Sequence, residues 1–238
     1  PIQTTKNSFQ LIELLGESGG LTLPELSSRV DLSKGAIYNH LATLQDLGVV
    51  VEQDDTYYPS VRTYQLGETA RKALPAADFA RKRLWDLADS TGEFGALIVE
   101  ENGVPVVADI AAGSVNNLWV APGEELSLYQ TAAGKILLAQ KSEQRIRALC
   151  GQSDEAIDAD TLVENIKTVK VLGLAFSRGE YRDDQYSVAA PILNRDDDLV
   201  YVTTLIGPKD RLSGKSLQQD VAGLVVNTAT EIERNLYS

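Results

Sequence analysis

The sequence predicts an α+β fold in two parts: an N-terminal winged helix-turn-helix and a larger C-terminal domain with an antiparallel sheet. Three helical patterns precede a hairpin pattern in the first part, and β-rich runs mix with helical patterns in the second. The length of 238 residues is enough for two ordinary cores. We therefore predict domains over residues 1–66 and 92–238, joined by a linker helix over residues 67–91.

The N-terminal part contains three helical patterns. "SFQLIELL", residues 8–15, ends before Gly16, and a short second helix starts at Thr22 or Leu23 with proline in its first turn, where it is tolerated. The third helix begins at the N-cap Ser33 and ends at Gly48. Its apolar residues recur at helical spacing and form one stripe: Ile37, Leu41, Leu44 and Leu47.

A β-hairpin is predicted directly after the third helix. Val49–Val51 and the pair Tyr57-Tyr58 flank a polar turn at residues 53–55, and Pro59 either ends the pairing or marks an edge strand. We expect both tyrosines to pack within the hairpin rather than to contact a partner. Three helices followed by a hairpin define a winged helix-turn-helix.

The rest of the chain mixes strand and helix patterns. A helical pattern extends from about Thr63 to Thr91, and residues 94–110 form a hairpin around an Asn102-Gly103 turn. The other predicted elements are a strand at 117–121, helices at 131–139, 142–149, 158–172 and 217–236, and strands at 186–193 and 199–207.

The composition excludes several classes of protein. One cysteine, Cys150, and one histidine, His40, disfavour a disulfide, a zinc cluster and a histidine-centred catalytic triad. No run of about 18 apolar residues is present, so we expect a cytoplasmic protein that does not span a membrane. The acidic residues are scattered, and the run at 196–198 lies in a predicted turn. We therefore predict no catalytic residues, no metal site and no cofactor.

The charge of the chain argues against binding to nucleic acid. The net charge is −12, and residues 1–65 carry four basic side chains against eight acidic ones. Affinity for DNA comes largely from basic side chains that neutralise phosphates. An acidic protein could still bind DNA in a host with molar internal salt. The Debye length falls to about 3 Å at 1 M, so the long-range repulsion between acidic side chains and phosphates is screened. The alternatives are a halophilic DNA-binding protein and a ligand-sensing or protein-interaction module whose winged helix does not read DNA.

The face of the third helix opposite the apolar stripe is suited to reading DNA. Asparagine can bond adenine with two hydrogen bonds, tyrosine and threonine can hold phosphates, and small residues allow close approach. His40 lies at the flank of the stripe, where a hydrogen-bonded packing role is favoured. For Arg62, just after the hairpin, a contact with DNA and a role within the protein are both open. The candidate DNA-binding residues are Ser33, Lys34, Gly35, Tyr38, Asn39, Thr43 and Arg62.

The linker region has a basic concentration with two interpretations. It is either a solvated helix face or a helix lying close to phosphates. The residues concerned are Arg71, Lys72, Arg81, Lys82 and Arg83.

Four stretches of the sequence resemble the IclR (isocitrate lyase regulator) family of transcription regulators, from about Ser8 to Glu233. The first is "LIELLGESGGLTLPELSSRVDLSKGAIYNHLATLQDLGVV" in the N-terminal part. In the C-terminal part, "LYQTAAGKILLA", "LGLAFSRGEYRDDQYSVAAPI" and "VYVTTLIGP" match in order. The "YNHLATL" stretch and the acidic composition are similar to the haloarchaeal branch of the family.

The resemblance implies a GAF-like C-terminal sensor domain that binds a small effector, usually an organic or aromatic acid. It also implies an operator in double-stranded DNA and a homodimer, which often pairs into a tetramer. Small residues at a helix N-terminus would receive the carboxylate, and an apolar wall would complete the pocket. The candidate effector-binding residues are Val115, Leu118, Trp119, Ala132, Ala133, Ser177, Ser187 and Thr204.

Some positions depart from the family pattern. Relatives often have an acidic residue in place of Ser177 and a cysteine in place of Ser187, and Asp184 replaces an expected glycine. The ligand therefore cannot be carried over from the family. Lys135 and Glu180 match the pattern, and both a structural role and pocket support are open for them.

Overall fold

A computed structural model describes residues 1–114, 120–212 and 220–237. The chain forms two compact units, Pro1–Ala70 and Arg71–Ser238. The N-terminal unit is a winged helix-turn-helix, and the C-terminal unit has a five-stranded antiparallel sheet with helices. The predicted α+β class is confirmed.

The N-terminal unit has three helices and a small three-stranded sheet in the order β1-β3-β2. Its elements are α1 Gln3–Ser18, β1 Leu21–Thr22, α2 Leu23–Arg29, α3 Lys34–Asp46, β2 Val50–Gln53 and β3 Thr56–Pro59. The strand β1 was not predicted, because two residues are too short to show an alternating pattern. It pairs with β3 through Leu21 and Tyr57.

The first helix is longer than the sequence pattern indicated. It continues through Gly16 to Ser18 and ends at Gly19, which has a left-handed φ of 67°. Gly19 supplies this conformation without steric cost, so the helix ends there and not at Gly16.

The core of the N-terminal unit confirms the predicted packing of α3. Ile37, Leu41 and Leu44 are buried together with residues from α1 and α2. His40 Nδ1 lies 2.8 Å from the hydroxyl of Ser8 on α1, as expected for a hydrogen-bonded packing role. Tyr57 belongs to the same core, and the ring of Tyr58 packs against the backbone at Gly20.

The C-terminal unit contains the larger sheet, in the order β5-β4-β8-β7-β6. Helix α4, Arg62–Lys72, crosses the boundary between the units. The elements that follow are α5 Ala77–Thr91, β4 Phe94–Glu101, β5 Val104–Ala112, α6 Ala132–Ala139, α7 Glu143–Cys150, α8 Ala159–Leu172, β6 Ala175–Arg178, β7 Gln185–Leu193, β8 Leu199–Pro208 and α9 Ala222–Leu236.

Both faces of the sheet are covered by helices. One buried cluster joins the sheet to α6, α7 and α8, and a second joins its other face to α5 and α9. Because side chains alternate along a strand, each strand contributes to both clusters.

Two predictions about local structure are wrong. The helical pattern from Thr63 to Thr91 forms two helices, α4 and α5, separated by residues 73–76. Pro75 lies in the gap, and proline has no N–H to donate and clashes with the preceding turn. Val120 and Ala121 are not in a strand, and the rest of the predicted 117–121 strand lies outside the described residues. The strand β6 was not predicted.

The two predicted hairpin turns are confirmed. Asn102 and Gly103 have φ values of 52° and 88°, as a type I′ turn requires. At the tip of the wing, Asp54 and Asp55 have φ values of 50° and 60°. The wing therefore ends in two adjacent carboxylates.

Candidate functional site

The outer face of α3 is the first candidate site. Its inner face is held by the buried side chains of Ile37, Leu41 and Leu44, so the opposite face is presented to solvent. Tyr38 is 58% exposed. The six predicted residues on and before this helix are all exposed: Ser33, Lys34, Gly35, Tyr38, Asn39 and Thr43.

Two of these six side chains have a role within the helix itself. Ser33 is the N-cap, and its hydroxyl accepts a hydrogen bond from the Ala36 N–H at 3.2 Å. The hydroxyl of Thr43 donates to the carbonyl of Asn39 at 2.9 Å. The side chains of Lys34, Tyr38 and Asn39 therefore carry most of the chemistry that this face offers.

Arg62 contacts the end of α3. One guanidinium nitrogen donates to the carbonyl of Leu47 at 3.0 Å, so the charge stabilises the C-terminus of the helix. A Cβ at Gly48, where φ is 71°, would lie 2.8 Å from the same nitrogen. Arginine has five N–H donors, so this contact leaves others for a second partner.

The basic concentration after the wing is not a simple solvated face. Asp109, in β5, is buried and accepts hydrogen bonds from Arg81 at 2.9 and 3.1 Å. Arg71 is also buried and lies 3.4 Å from the same carboxylate. Arg83 pairs with Glu231 at 3.2 Å. The expectation of a solvated face is therefore wrong for Arg71, and Arg71 and Arg81 serve an internal ion-pair cluster.

The second candidate site is a pocket on the α6 side of the large sheet. The strand register places Ser187 between Ser177 on β6 and Ile206 on β8. Thr204 lies two residues along β8 from Ile206, on the same face. Three polar residues predicted from two stretches of sequence thus meet in one place.

The N-terminus of α6 closes this pocket. Thr131 is the N-cap, and its hydroxyl accepts a hydrogen bond from the Gly134 N–H at 3.0 Å. The Lys135 N–H bonds the carbonyl of Thr131. Among the hydrogen bonds of the described residues, none uses the N–H groups of Ala132 and Ala133. The helix start therefore presents two donors and the positive end of a dipole.

The pocket is narrow, with about 390 Å³ of empty space, part of it open to solvent. Leu126 and Tyr181 border both this pocket and a wider surface groove. Among the described residues that line it none is charged: Val120, Leu126, Thr131, Ala132, Ala133, Ser177, Tyr181, Gln185, Ser187, Thr204 and Ile206.

The structure brings five of the eight predicted effector residues together in this lining. These are Ala132, Ala133, Ser177, Ser187 and Thr204. The other three, Val115, Leu118 and Trp119, lie outside the described residues. Sequence reasoning missed Gln185, although it lies two residues before Ser187 and the period of a strand places both on one face.

The hydroxyl of Ser177 is committed to the protein. It lies 2.7 Å from the carbonyl of Gln130 and 3.0 Å from the carboxylate of Glu180, and its single hydrogen can serve only one of them well. Towards a ligand, Ser177 therefore offers lone pairs and no free donor. The hydroxyl of Thr204 donates to the Val188 carbonyl at 3.2 Å, so Thr204 likewise offers a ligand lone pairs and no free donor.

The described residues show neither a metal cluster nor a membrane span. They contain no group of three or more histidine, cysteine, aspartate or glutamate side chains arranged to hold a metal ion. No helix among them combines the length and the apolar character needed to cross a bilayer. Burial raises the pKa of the Cys150 thiol, so this group is a poor nucleophile.

A winged helix-turn-helix followed by a pocket-bearing α+β domain defines a ligand-responsive class of transcription regulator. The family models described as "IclR helix-turn-helix domain" and "Bacterial transcriptional regulator IclR C-terminal" match residues 4–54 and 69–234. The chain belongs to the IclR family of transcriptional regulators, and its N-terminal unit is a DNA-binding helix-turn-helix domain. The resemblance stated from the sequence is confirmed.

Individual relatives agree with this assignment. The chain is 29% identical to the HTH-type transcriptional regulator ArcR of Halobacterium salinarum, over 99% of this chain and 94% of that protein. This relative confirms the haloarchaeal resemblance. A regulator from Rhodococcus sp. RHA1 has the same fold, with a TM-score of 0.84 at 22% identity, over 99% of this chain and 98% of that one.

One solved structure is a complex with a small molecule. It is an IclR homologue from Microbacterium hydrocarbonoxydans complexed with 4-hydroxybenzoate. Its TM-score is 0.77 at 14% identity, over 91% of each chain. At this identity the likeness concerns the fold alone.

Proposed function

We propose that this regulator reads an operator with the outer face of α3 and responds to a small organic acid bound in the pocket beside α6. The observation that carries the proposal is the pocket, whose described lining is uncharged and which is closed by a helix N-terminus with two free N–H donors. Such a terminus favours a carboxylate. The homologue complexed with 4-hydroxybenzoate supports an acid of this kind.

The DNA part of the proposal assigns direct base recognition to Asn39. Its exposed amide can bond an adenine edge, while Lys34 and Tyr38 contact phosphates and Gly35 allows close approach. Ser33 and Thr43 act mainly through the helix that they stabilise. Arg62 positions the C-terminus of α3 and has donors left for a phosphate.

The test of the DNA part is a selection of random duplexes by the full chain in molar potassium chloride. An enriched, nearly palindromic sequence is expected, because helix-turn-helix proteins usually bind paired half-sites as dimers. Asn39→Ala should weaken binding by about 1–3 kcal/mol per half-site and relax one position. Gln10→Ala, an exposed amide on α1, is the matched control. Equal affinity of the Asn39 variant and the control would refute the assigned reading face.

A salt series measures the electrostatic part of the same interaction. Lys34 is the cation on this face, so Lys34→Gln should reduce the slope of log affinity against log salt by about one per half-site. The preferred sequence should not change, because phosphate contacts carry no sequence information. A change of preferred sequence would show that Lys34 contacts a base and not a phosphate.

The effector part is tested by thermal unfolding with a panel of organic acids. A ligand at 100 times its dissociation constant stabilises the folded state by about 2.7 kcal/mol. Ala133→Val places two methyl groups in the narrow pocket and should abolish the shift. Ala139→Val, the same change at the other end of α6, should retain it. A panel that shifts neither wild type nor control would remove the effector part of the proposal.

Regulation requires that the ligand distinguish two arrangements of the subunits. It can change DNA affinity only through its differential affinity for those arrangements. We infer that binding beside Ala132 and Ala133 alters the spacing of paired reading helices in a dimer or tetramer. Operator affinity and preferred half-site spacing that stay constant at saturating ligand would refute this coupling.

A further inference from the structure

Three buried side-chain atoms among the described residues have no hydrogen-bond partner. They are Glu93 Oε2, Gln185 Nε2 and Thr203 Oγ1. Only Gln185 belongs to the lining of the pocket. Gln185 is 6% exposed and its amide nitrogen is buried, so neither the protein nor bulk water satisfies this amide donor.

A buried donor without a partner raises the free energy of the folded protein. A buried polar group without a partner loses its hydrogen bonds to water and gains nothing in return. The cost is recovered when a bound molecule supplies an acceptor at that place. The amide of Gln185 therefore points to a ligand that carries an acceptor oxygen.

The position of Gln185 separates this donor from the helix terminus. Gln185 is the first residue of β7 and pairs with Pro208 at the end of the sheet, whereas Ala132 and Ala133 begin α6. The lining of the pocket thus includes donor-bearing residues from two different elements. A ligand that satisfies both must carry acceptors at two places.

The absence of charge in the described lining limits what the second acceptor can be. A carboxylate at the α6 terminus is stabilised by the helix dipole and the free N–H groups. A second carboxylate would be buried without a cation, which is strongly unfavourable. Lys135, in the first turn of α6, is already paired with Glu180. The second acceptor is therefore an uncharged oxygen.

We propose that Gln185 recognises a keto or hydroxyl oxygen on the same organic acid whose carboxylate lies at the N-terminus of α6. This inference rests on the proposed function, since it assumes that the pocket holds the effector. It assigns Gln185 as the residue that selects acids with such an oxygen over plain acids.

The test compares matched pairs of acids by calorimetry on the full chain. The pairs are pyruvate with propionate, and 4-hydroxybenzoate with benzoate. Within each pair, one acid has a keto or hydroxyl oxygen that the other lacks. The first pair represents small ligands and the second represents aromatic ones. In the wild type, at least one pair should bind, and its acid with the keto or hydroxyl oxygen should bind about tenfold more tightly than the acid without it. In Gln185→Met, which is similar in shape, the two members should bind equally.

Two further variants keep the result interpretable. Gln185→Glu retains the shape but replaces the donor with a negative charge, so it should weaken both members of the pair. Thr203→Val removes another buried unpartnered atom, in a residue outside the described pocket lining. It should leave the preference between the two acids unchanged.

The outcomes separate this inference from the proposed function. If Gln185→Met keeps the tenfold preference while Ala133→Val abolishes binding, the pocket is correct and the role of Gln185 is wrong. Equal binding of both members by the wild type also overturns the inference alone. If no acid of either pair binds the wild type, the inference fails together with the effector part of the proposed function.

Discussion

The ammonium of Lys135 lies 2.6 Å from the carboxylate of Glu180 and also donates to the carbonyl of Phe176 at 2.8 Å. The pair ties the start of α6 to the end of β6, where Ser177 and the Arg178 N–H contact the same carboxylate. Neither Lys135 nor Glu180 belongs to the described lining of the pocket. Their contacts are structural and hold one wall of the pocket in place.

Lys135→Met should destabilise the C-terminal unit. The side chain of Lys135 is 6% exposed and that of Glu180 is 42% exposed, so solvent screens part of their interaction. We expect a loss of about 2 kcal/mol in the free energy of unfolding, measured with denaturant. Lys141→Met breaks a pair with Glu100 in which the lysine is more exposed than Lys135, and it should cost less than about 1 kcal/mol. Equal losses in the two variants would contradict a special role for Lys135.

The same pair predicts how stability depends on pH. Burial opposes ionisation of Glu180, but Lys135 and the Arg178 N–H outweigh it and hold its pKa below the usual 4.5. Because the folded-state pKa is depressed, this contribution is complete above pH 4.5 and is lost as the pH falls through the folded-state pKa. The stability difference between wild type and Lys135→Met should therefore narrow below pH 4.5.

The control for this pH dependence is internal. Backbone and side-chain hydrogen bonds from Thr22 lower the pKa of Glu25, and those from Thr161 lower the pKa of Asp158. Both groups are present in wild type and variant, so their effects cancel in the difference. Unfolding curves between pH 3 and pH 7 test the prediction, and a difference that widens towards acid would contradict it.

Features governed by local periodicity could be predicted from the sequence. The stripe of Ile37, Leu41 and Leu44 fixed which face of α3 is buried, and Asn102-Gly103 fixed a hairpin turn. The small residues Ala132 and Ala133 marked the start of α6. In each of these cases the determining interactions lie within a few residues of one another.

Features governed by the strand register could not be predicted. The sequence pattern showed neither β6 nor β1, because both strands are short and derive their stability from their neighbours. The register that places Ser187 between Ser177 and Ile206 is defined only by the folded sheet, and without the family resemblance the sequence would not have placed Ser177 and Ser187 in one pocket. The unpartnered amide of Gln185 depends in turn on what surrounds it in space.

Gly134→Ala should shift α6 away from the backbone at Leu128 and so disrupt the pocket beside this helix. A Cβ at Gly134 would lie 2.3 Å from the carbonyl oxygen of Leu128, so the backbone itself would have to move. We expect a loss of about 1–3 kcal/mol in the free energy of unfolding and no effector binding. Gly223→Ala, in α9, meets no atom within 4 Å and should instead stabilise slightly. Stability in Gly134→Ala equal to that of this control would contradict the predicted clash.

Gly35→Ala should separate the stability of the reading helix from its function. Gly35 is exposed in α3, and an added Cβ meets no atom within 4 Å. Alanine is the better helix former, so the free energy of unfolding should rise by about 0.5–1 kcal/mol. The added methyl group lies on the face assigned to DNA, so operator affinity should fall, as fluorescence anisotropy of a labelled duplex would measure. Gly67→Ala in α4, where an added Cβ also meets no atom within 4 Å, should raise stability without this loss. A Gly35→Ala protein that is more stable and binds the operator as tightly as wild type would show that α3 does not approach DNA at this residue.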